Sequence, residues 1–235
     1  KKGNYLVFFI PGLIIALFFI WIKSAGASID TGIDYKSDSS WIDSAIGYLN
    51  SFITGSRNFI SFIVDQIYVF IVLTALSPFN TLLGEKLDSR LTGNQFKGGL
   101  TRFVNDFIRM VFVVIIALTL EFGIMGVYAL FSWILGLSFL NGFVYWIISA
   151  FFFGFSFYDF ALERYEINVF GSLSFAFKKP LTMLLTGGLF MAIYSIPYLG
   201  IPISPVIILM VSTIVYLHHT KKIKVQTELT PTHNE

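Results

Sequence analysis

One stretch of 51 residues, positions 107–157, contains only two charged side chains, Arg109 and Glu121. A helix needs about 20 apolar residues to cross the hydrocarbon core of a bilayer, so this stretch is long enough for two crossings. A helix that is apolar on all sides must be surrounded by other apolar groups, either protein or lipid. The chain is therefore expected to fold within a membrane.

The composition of the whole chain supports this expectation. Of the 235 residues, 55% are hydrophobic and 18% aromatic, while 13% are charged and the mean hydropathy is +0.75. Soluble domains carry about 25% charged residues. So much apolar surface with so little charge excludes both an ordinary soluble enzyme and a disordered chain. We predict an all-α integral membrane protein, with one transmembrane domain over 1–235 and the lipid bilayer as its main partner.

The apolar pattern predicts about four spanning helices, together with one amphipathic helix at the membrane surface over 41–56. The predicted apolar segments are 5–22, 59–76, 107–157 and 181–217. The segment 59–76 is expected to end at Ser77-Pro78, because a proline stops the helix before it.

Glycines and prolines leave alternatives open in the last two segments. The segment 107–157 could hold two full spans that meet near Leu137, or shorter pieces broken at its glycines. Three prolines divide 181–217 into arms of about 16 and 12 residues: Pro197, Pro202 and Pro205. Arms of this length suit a hemi-penetrating hairpin as well as two true spans.

The basic residues are unevenly distributed along the chain. Of the 16 Lys and Arg residues, 13 lie at the N-terminus, within 77–109, within 158–180 or shortly after position 217. The positive-inside rule then makes both termini cytoplasmic, including the polar tail 218–235. By the same rule the loops 77–106 and 158–180 are cytoplasmic and the acidic segment 23–57 is outside.

Two acidic residues fall inside the apolar segments, where a charge is expensive to bury. Asp65 and Glu121 lie eight and twelve residues from Arg57 and Arg109, which is about 12 and 18 Å along a helix. Both are candidates for a proton or cation site that lines a substrate pathway. The alternative is that each acid is neutral, or bonds to a neighbouring helix, and serves packing alone. For Glu121, a helix break at the nearby glycines could also place the acid at a wet interface.

Three arginines lie at helix ends beside membrane segments: Arg57, Arg102 and Arg109. They are candidates for gathering anions at a pore mouth, although snorkelling to lipid headgroups is the commoner role of such residues. Arg102 and Arg109 also flank Asp106 at helical spacing, which is typical of a surface ion pair.

The sequence contains no constellation typical of catalysis. It has no cysteine, and its three histidines, at positions 218, 219 and 233, all lie in the polar tail. Neither a nucleotide-binding glycine loop nor a metalloprotease or serine-hydrolase motif occurs. We therefore expect neither an enzyme nor a cofactor or metal site, and a net charge of +2 gives no reason to expect a nucleic-acid partner.

Two short segments and a terminal hairpin carry a resemblance to a known family. Positions 77–86 read Ser-Pro-Phe-Asn-Thr-Leu-Leu-Gly-Glu-Lys, and positions 157–163 read Phe-Tyr-Asp-Phe-Ala-Leu-Glu. With the proline-broken segment 181–217, these resemble the CysZ-type sulfate permeases, relatives of the etoposide-induced membrane proteins. The family-motif residues are Pro78, Phe79, Asn80, Glu85, Asp159 and Glu163.

The resemblance implies a helical protein of the bacterial inner membrane that forms homo-oligomers. It also implies that the protein admits sulfate or sulfite for cysteine synthesis without ATP hydrolysis. Asn80 and Glu85 would position the first cytoplasmic loop, Asp159 and Glu163 the second, and Gly3 would lie at the substrate mouth. Asn80 could instead cap a helix that starts after Pro78.

The chain departs from the family at the segment that holds sulfate. There the family has glycine-leucine-arginine, whereas the aligned residues here are Gly3, Asn4, Tyr5 and Leu6, so the arginines are absent. A doubly charged anion thereby loses its bidentate ligands. The alternative function is a non-transporting membrane scaffold, or a subunit of a larger membrane complex.

Overall fold

A computed structural model describes the backbone of residues 5–25, 40–96, 100–197 and 199–220, and the side chains of 5–17, 65–96, 104–137, 139–197 and 199–220. Every regular element in these ranges is helical. The α-helices are α1 (Ile10–Ala25), α2 (Ser40–Thr92), α3 (Leu100–Leu135), α4 (Asn141–Glu163), α5 (Val169–Lys178), α6 (Pro180–Tyr194) and α7 (Gly200–His219).

Four segments of these helices are long and apolar enough to cross a membrane. They are Asp65–Thr92, Val104–Leu135, Asn141–Glu163 and Gly200–His219. The prediction of an all-α membrane protein with about four spanning helices is thereby confirmed. Three further apolar helical segments among the described residues are shorter than 18 residues: Leu6–Leu17, within the predicted segment 5–22, and the helices α5 and α6.

Helix α2 does not stop at Ser77-Pro78, so the predicted helix end there is wrong. It continues through Pro78 to Thr92 and begins at Ser40. A proline removes one backbone hydrogen bond, whereas ending the helix inside lipid would expose several backbone groups with no water to bind them. The predicted amphipathic segment 41–56 belongs to the same helix, and the side chains that would define its polar face lie outside the described residues.

Helices α3 and α4 form a long hairpin in place of pieces broken at glycines. The chain turns at Gly136, whose φ of +68° is a left-handed conformation that glycine adopts without strain. Gly123 and Gly126 lie inside α3, which is continuous, so the suggested helix break beside Glu121 is wrong. The predicted loop 158–180 is also shorter than expected, because α4 extends to Glu163 and a further helix occupies Val169–Lys178.

The terminal hairpin has arms of 15 and 20 residues, and the expected 12-residue second arm is wrong. Helix α7 begins at Gly200, so Pro202 lies in its first turn, where a missing N–H is tolerated. Pro205 lies further inside the helix and does not end it. The second arm is therefore long enough to span, while α6 reaches about 22 Å.

Helix α4 lies at the centre of the bundle and packs against α3, α5, α6 and α7. It approaches α6 so closely that a Cβ atom on Gly154 would overlap the Met183 carbonyl, and one on Gly187 would overlap the Ala150 carbonyl. Small residues permit such close backbone approach between membrane helices. These antiparallel contacts place the last turn of α6 level with the start of α4, so the α6–α7 turn and the α3–α4 turn lie at the same end of the bundle.

Aromatic rings from three helices fill the middle of the bundle. The ring centroids of Phe70 and Phe153 are 5.0 Å apart, those of Phe153 and Phe190 5.1 Å, and those of Phe157 and Phe190 5.0 Å. We call these four residues, from α2, α4 and α6, the aromatic layer. The described charged residues of 85–109 and 159–179 lie beyond it, at the end of the bundle opposite the two turns, which we call the charged end.

Candidate functional site: the inner face of α2

One face of α2 carries polar residues although it is turned into the bundle. Gln66, Ser77, Asn80, Thr81 and Asp88 are all at least 95% buried, and their spacing by three, four, seven or eleven positions places them on one side of a helix. Phe70 and Leu73 occupy the same stripe between Gln66 and Ser77 and are fully buried. We call this stripe the inner face of α2.

The inner face ends at an ion pair in the charged end. Arg164 Nε lies 3.3 Å from Asp88 Oδ2, and both side chains are fully excluded from solvent. The Arg164 guanidinium also donates to the Phe160 carbonyl at 2.8 Å and to Thr213 Oγ1 at 3.0 Å. Asp88 in turn accepts from Tyr165 Oη at 3.0 Å. The pair therefore ties α2, α4 and α7 together.

Burial lowers the pKa of the Arg164 guanidinium, and the adjacent Asp88 carboxylate opposes that change. Because the arginine pKa starts above about 12, the group stays charged at neutral pH. Gly84, on the same face as Asp88, leaves the space that the guanidinium fills, since a Cβ atom there would overlap it. Because Gly84 has no side chain, the bundle has room for the permanently charged guanidinium of Arg164.

Three polar side chains on the inner face have buried atoms that make no hydrogen bond to any described residue. These atoms are Ser77 Oγ, Asn80 Nδ2 and Thr81 Oγ1. Buried hydroxyls on helices usually bond to the carbonyl one turn earlier. Thr74, on the same helix, does so through its 2.8 Å bond to the Phe70 carbonyl. We call Ser77, Asn80 and Thr81 the donor triplet.

Glu121, expected at membrane depth, is fully buried between α2, α3 and α4. Gln66 Nε2 donates to Ser149 Oγ at 2.6 Å, and Ser149 Oγ donates to Glu121 Oε1 at 2.7 Å. The second carboxyl oxygen, Oε2, has no hydrogen-bond partner among the described residues. Asp65, the other predicted acid, is exposed, so the structure does not bring the two acids together.

Arg109 was expected at a pore mouth or snorkelling to lipid, and it pairs instead with carboxylates of α4. Its Nη2 lies 2.8 Å from Asp159 Oδ1, and its Nε lies 3.5 Å from Glu163 Oε1. It also donates to Ser172 Oγ of α5 at 3.4 Å. Its charge is thus neutralised across the α3–α4 interface rather than by its helix neighbour Asp106 alone.

A cleft of about 740 Å³ opens beside these carboxylates at the charged end. Its polar lining includes Asn94, Gln95, Asn105, Asp106, Glu163 and Glu166. Within the part of the chain that the structure describes, no group of three or more His, Asp or Glu side chains has an arrangement that could hold a metal ion. The cleft adjoins the buried ion pair, since Arg164 is also one of its lining residues.

The family-motif residues lie on helices rather than in loops. Asn80 is buried in the C-terminal third of α2, inside the helix, so its expected places in a loop or as a helix cap are wrong, and Glu85 is also buried there. Pro78 is inside the same helix, and Phe79 is 41% exposed on its outer side. Asp159 and Glu163 belong to the last turns of α4. Gly3 and the side chains of Arg57 and Arg102 lie outside the described residues.

Sequence reasoning missed Asp88, Arg164, Ser77, Thr81 and the Gln66–Ser149 link. Arg164 follows a long apolar run, so the sequence pattern indicates only that it is one of the basic residues of the loop 158–180. The spacing Ser77, Thr81, Gly84, Asp88 gives a small or polar residue on one helix face over three turns, and this signal could have been read. Its partners, however, are 76 or more positions away along the chain.

Comparisons with known proteins give no further assignment. No family model matches the chain, and no curated protein or solved structure is significantly similar to it. The resemblance to sulfate permeases therefore depends on the sequence segments quoted above.

Proposed function

We propose that the protein is a membrane conduit for a small inorganic anion of the sulfate or sulfite type and that it works without ATP hydrolysis. The observation that carries the proposal is the donor triplet. Ser77, Asn80 and Thr81 present hydroxyl and amide hydrogens in the bundle interior, and their buried polar atoms have no partner among the described residues. An unpaired buried polar group costs about 1–3 kcal/mol, so three on one helix face need an explanation.

The chemistry of the triplet suits an anion better than a cation. Hydroxyl and amide groups can donate hydrogen bonds to an oxyanion, and they do so without adding a fixed charge that would trap it. The Arg164 guanidinium lies against Gly84, one to two helix turns from the triplet, whereas its partner Asp88 lies two to three turns away. The positive end of the ion pair is therefore the end nearer to the triplet, where it favours an anion. Weak, neutral ligands of this kind also fit a chain that lacks the family's arginines near Gly3.

The aromatic layer interrupts the row of polar residues on the inner face of α2 in this conformation. Phe70 and Leu73 separate the donor triplet from Gln66 on the inner face, and Phe153 covers Phe70 from α4. Passage of an ion would require these rings to move apart. A closed layer between two polar regions is the arrangement expected of a gated conduit at rest.

We place the protein in the bacterial inner membrane, as the sequence resemblance implies, with the charged end towards the cytoplasm. The described residues of the two turns at the opposite end, 136–140 and 195–199, include no charged side chain. The charged end carries Lys86, Arg90, Arg109, Arg164 and Lys178. This asymmetry follows the positive-inside rule.

The proposal is tested by sulfate and sulfite flux into vesicles that contain the purified protein. Thr81→Val keeps the side-chain shape but removes the unpaired hydroxyl, and Ser77→Ala does the same at its position. We expect both variants to fold at least as stably as the wild type and to lose at least tenfold in flux. Thr74→Val is the matched control, because the Thr74 hydroxyl is already bonded within α2.

The control should keep wild-type flux. If wild-type vesicles take up neither anion, the conduit proposal is wrong. If Thr81→Val and Ser77→Ala transport as fast as Thr74→Val, the donor triplet is not the pathway.

A second candidate function, a scaffold within a larger membrane complex, is favoured by the exposure of α3. In the candidate span Val104–Leu135 only 28% of the most apolar window is buried, against 61–67% in the other three spans. Trp133 is 80% exposed on this helix. Co-purification of an unrelated membrane protein in a fixed ratio, together with no anion flux, would support this function over the conduit. A homo-oligomer, as the family resemblance implies, would instead cover α3 with a second copy.

A further inference from the structure

Glu121 is an acidic residue of α3 that lies inside the bundle beside neutral side chains. Its side chain is fully buried, and its hydrogen-bonded neighbour is the neutral hydroxyl of Ser149. An ionised carboxylate in such a place, without a paired cation or several donors, is far more costly than a neutral carboxyl group. The environment therefore favours the form of Glu121 that carries a proton.

The direction of the hydrogen bonds agrees with a neutral carboxyl group. Gln66 can only donate through Nε2, so the Ser149 oxygen accepts this bond and its own hydrogen is free to point to Glu121. Glu121 Oε1 is then the acceptor, as a carboxyl C=O oxygen must be. Oε2, which has no partner among the described residues, is left to carry the hydrogen.

Among the residues whose side chains the structure describes, no charged group faces Glu121 from α2, α3 or α4. From α3 the nearest titratable side chain is Tyr128, two turns away, and from α4 it is Tyr145, one turn before Ser149. The closest charged residues along these helices are Arg109 and Asp159, about 18 and 15 Å distant by helical rise. On α2, Asp65 directly precedes Gln66 in the sequence, but its side chain is exposed and does not point into the site.

We propose that Glu121, Ser149 and Gln66 form a proton-binding site inside the membrane, filled in this closed conformation by a proton on Glu121. The proton leaves, and the carboxylate forms, only when water reaches the site between α2, α3 and α4. The site itself is independent of the conduit. Its link to transport, in which an anion moves together with a proton, rests on the proposed function.

The site is tested by infrared spectroscopy of the protein at neutral pH in vesicles of ether-linked phospholipids, which lack the ester carbonyls that absorb close to a protonated carboxyl group. We expect the C=O stretching band of a protonated carboxyl group when the Glu121→Gln spectrum is subtracted from that of the wild type or of the control Asp65→Asn. Carboxyl groups common to both proteins, such as that of Glu163, cancel in this difference. In Ser149→Ala the band should move to higher frequency, because Oε1 loses its hydrogen bond, and a purely structural role of Glu121 would not produce that shift.

The outcomes separate the two proposals. If the difference spectrum contains no such band, the proton site is wrong whatever the transport result. Should Glu121→Gln fail to fold, a carboxyl band that does not move between the wild type and Ser149→Ala overturns the site equally. If the wild type shows the band but no anion flux, the conduit fails and the proton site stands.

The coupling has its own measurement, with a pH-sensitive dye enclosed in the same vesicles. We expect sulfate entry to carry protons inward and an imposed proton gradient to accelerate it at least fivefold in the wild type and in Asp65→Asn. Glu121→Gln should retain downhill anion flux without the acceleration. If the anion flux of the wild type is the same with and without the proton gradient, the proposed coupling is wrong.

Discussion

Arg164 and Asp88 are both completely excluded from solvent, with Arg164 Nε 3.3 Å from Asp88 Oδ2. Removing one partner of a buried ion pair leaves an uncompensated charge, which costs about 3–5 kcal/mol. We therefore expect Asp88→Asn to lower the free energy of unfolding by about that amount, measured by denaturant titration in detergent micelles.

The double variant Asp88→Leu with Arg164→Met gives the complementary test, because it removes both charges together. It should be more stable than Asp88→Asn, since no buried charge is left alone. Lys178→Gln, which changes an exposed charge at the same end, should alter the stability by less than about 1 kcal/mol. Equal stability of Asp88→Asn and Lys178→Gln would contradict the buried pair.

Gly84→Ala should destabilise the protein by about 1–3 kcal/mol, although alanine is the better helix former. The added Cβ atom would overlap the Arg164 guanidinium, which must then give up part of its contacts with Asp88 and Thr213. Gly123→Ala is the control, because a Cβ atom there meets no described atom within 4 Å. The control should be neutral or stabilising by up to about 1 kcal/mol. Thermal unfolding of both variants decides the comparison.

Gly187→Ala is expected to separate α4 from α6. Its Cβ atom would overlap the Ala150 backbone carbonyl, which cannot swing aside as a side chain can. A loss of about 2 kcal/mol or more is expected from such overpacking. Gly142→Ala, at the open start of α4, is the control that should keep wild-type stability. A wild-type melting temperature for Gly187→Ala would mean that the two helices are not in this contact.

The orientation can be measured with single cysteines, since the sequence contains none. Ser195→Cys in the α6–α7 turn should react with a membrane-impermeant maleimide applied from outside the cell. Lys178→Cys, just before α6, should react only after the membrane is permeabilised. The reason is that α6 runs antiparallel to α4 and its last turn is level with the outer end of that span. If Ser195→Cys is protected from both sides, the hairpin enters the bilayer without crossing it.

The parts of the fold that follow from local pattern could be predicted from the sequence. Of the two alternatives for the long run with a single interior acid, two spans that meet near Leu137 and shorter pieces, the structure has the first. Glu121 lies buried in the bundle, as its place in an apolar segment predicts, because apolar length and the cost of a buried charge are local properties. The positions of the prolines led to wrong helix ends in two places, at Pro78 and at Pro205. Pro78 and Pro205 lie inside helices, since lipid penalises an interrupted helix more than it penalises one lost hydrogen bond.

The candidate site was harder to predict, because its residues meet across long stretches of chain. Asp88 and Arg164 are 76 positions apart, and Gln66 and Ser149 are 83 positions apart. A single sequence carries no information on which of its distant positions are in contact in the fold. Asn80 is a further case, since the sequence pattern after Pro78 favours a loop or a helix start there, whereas the structure has a continuous helix.

Pro78 also has a mechanical consequence for α2. Its ring nitrogen has no hydrogen, so the Thr74 carbonyl, one turn earlier, has no backbone donor from the usual position. A bend at this height breaks no further hydrogen bond of the helix ladder. Pro78 thus separates α2 into two rigid helical segments, one that carries Gln66 and Phe70 and one that carries Thr81 and Asp88. A small tilt of either segment about Pro78 changes the distance from Gln66 of the proton site to Asn80 and Thr81 of the donor triplet without unfolding a single turn.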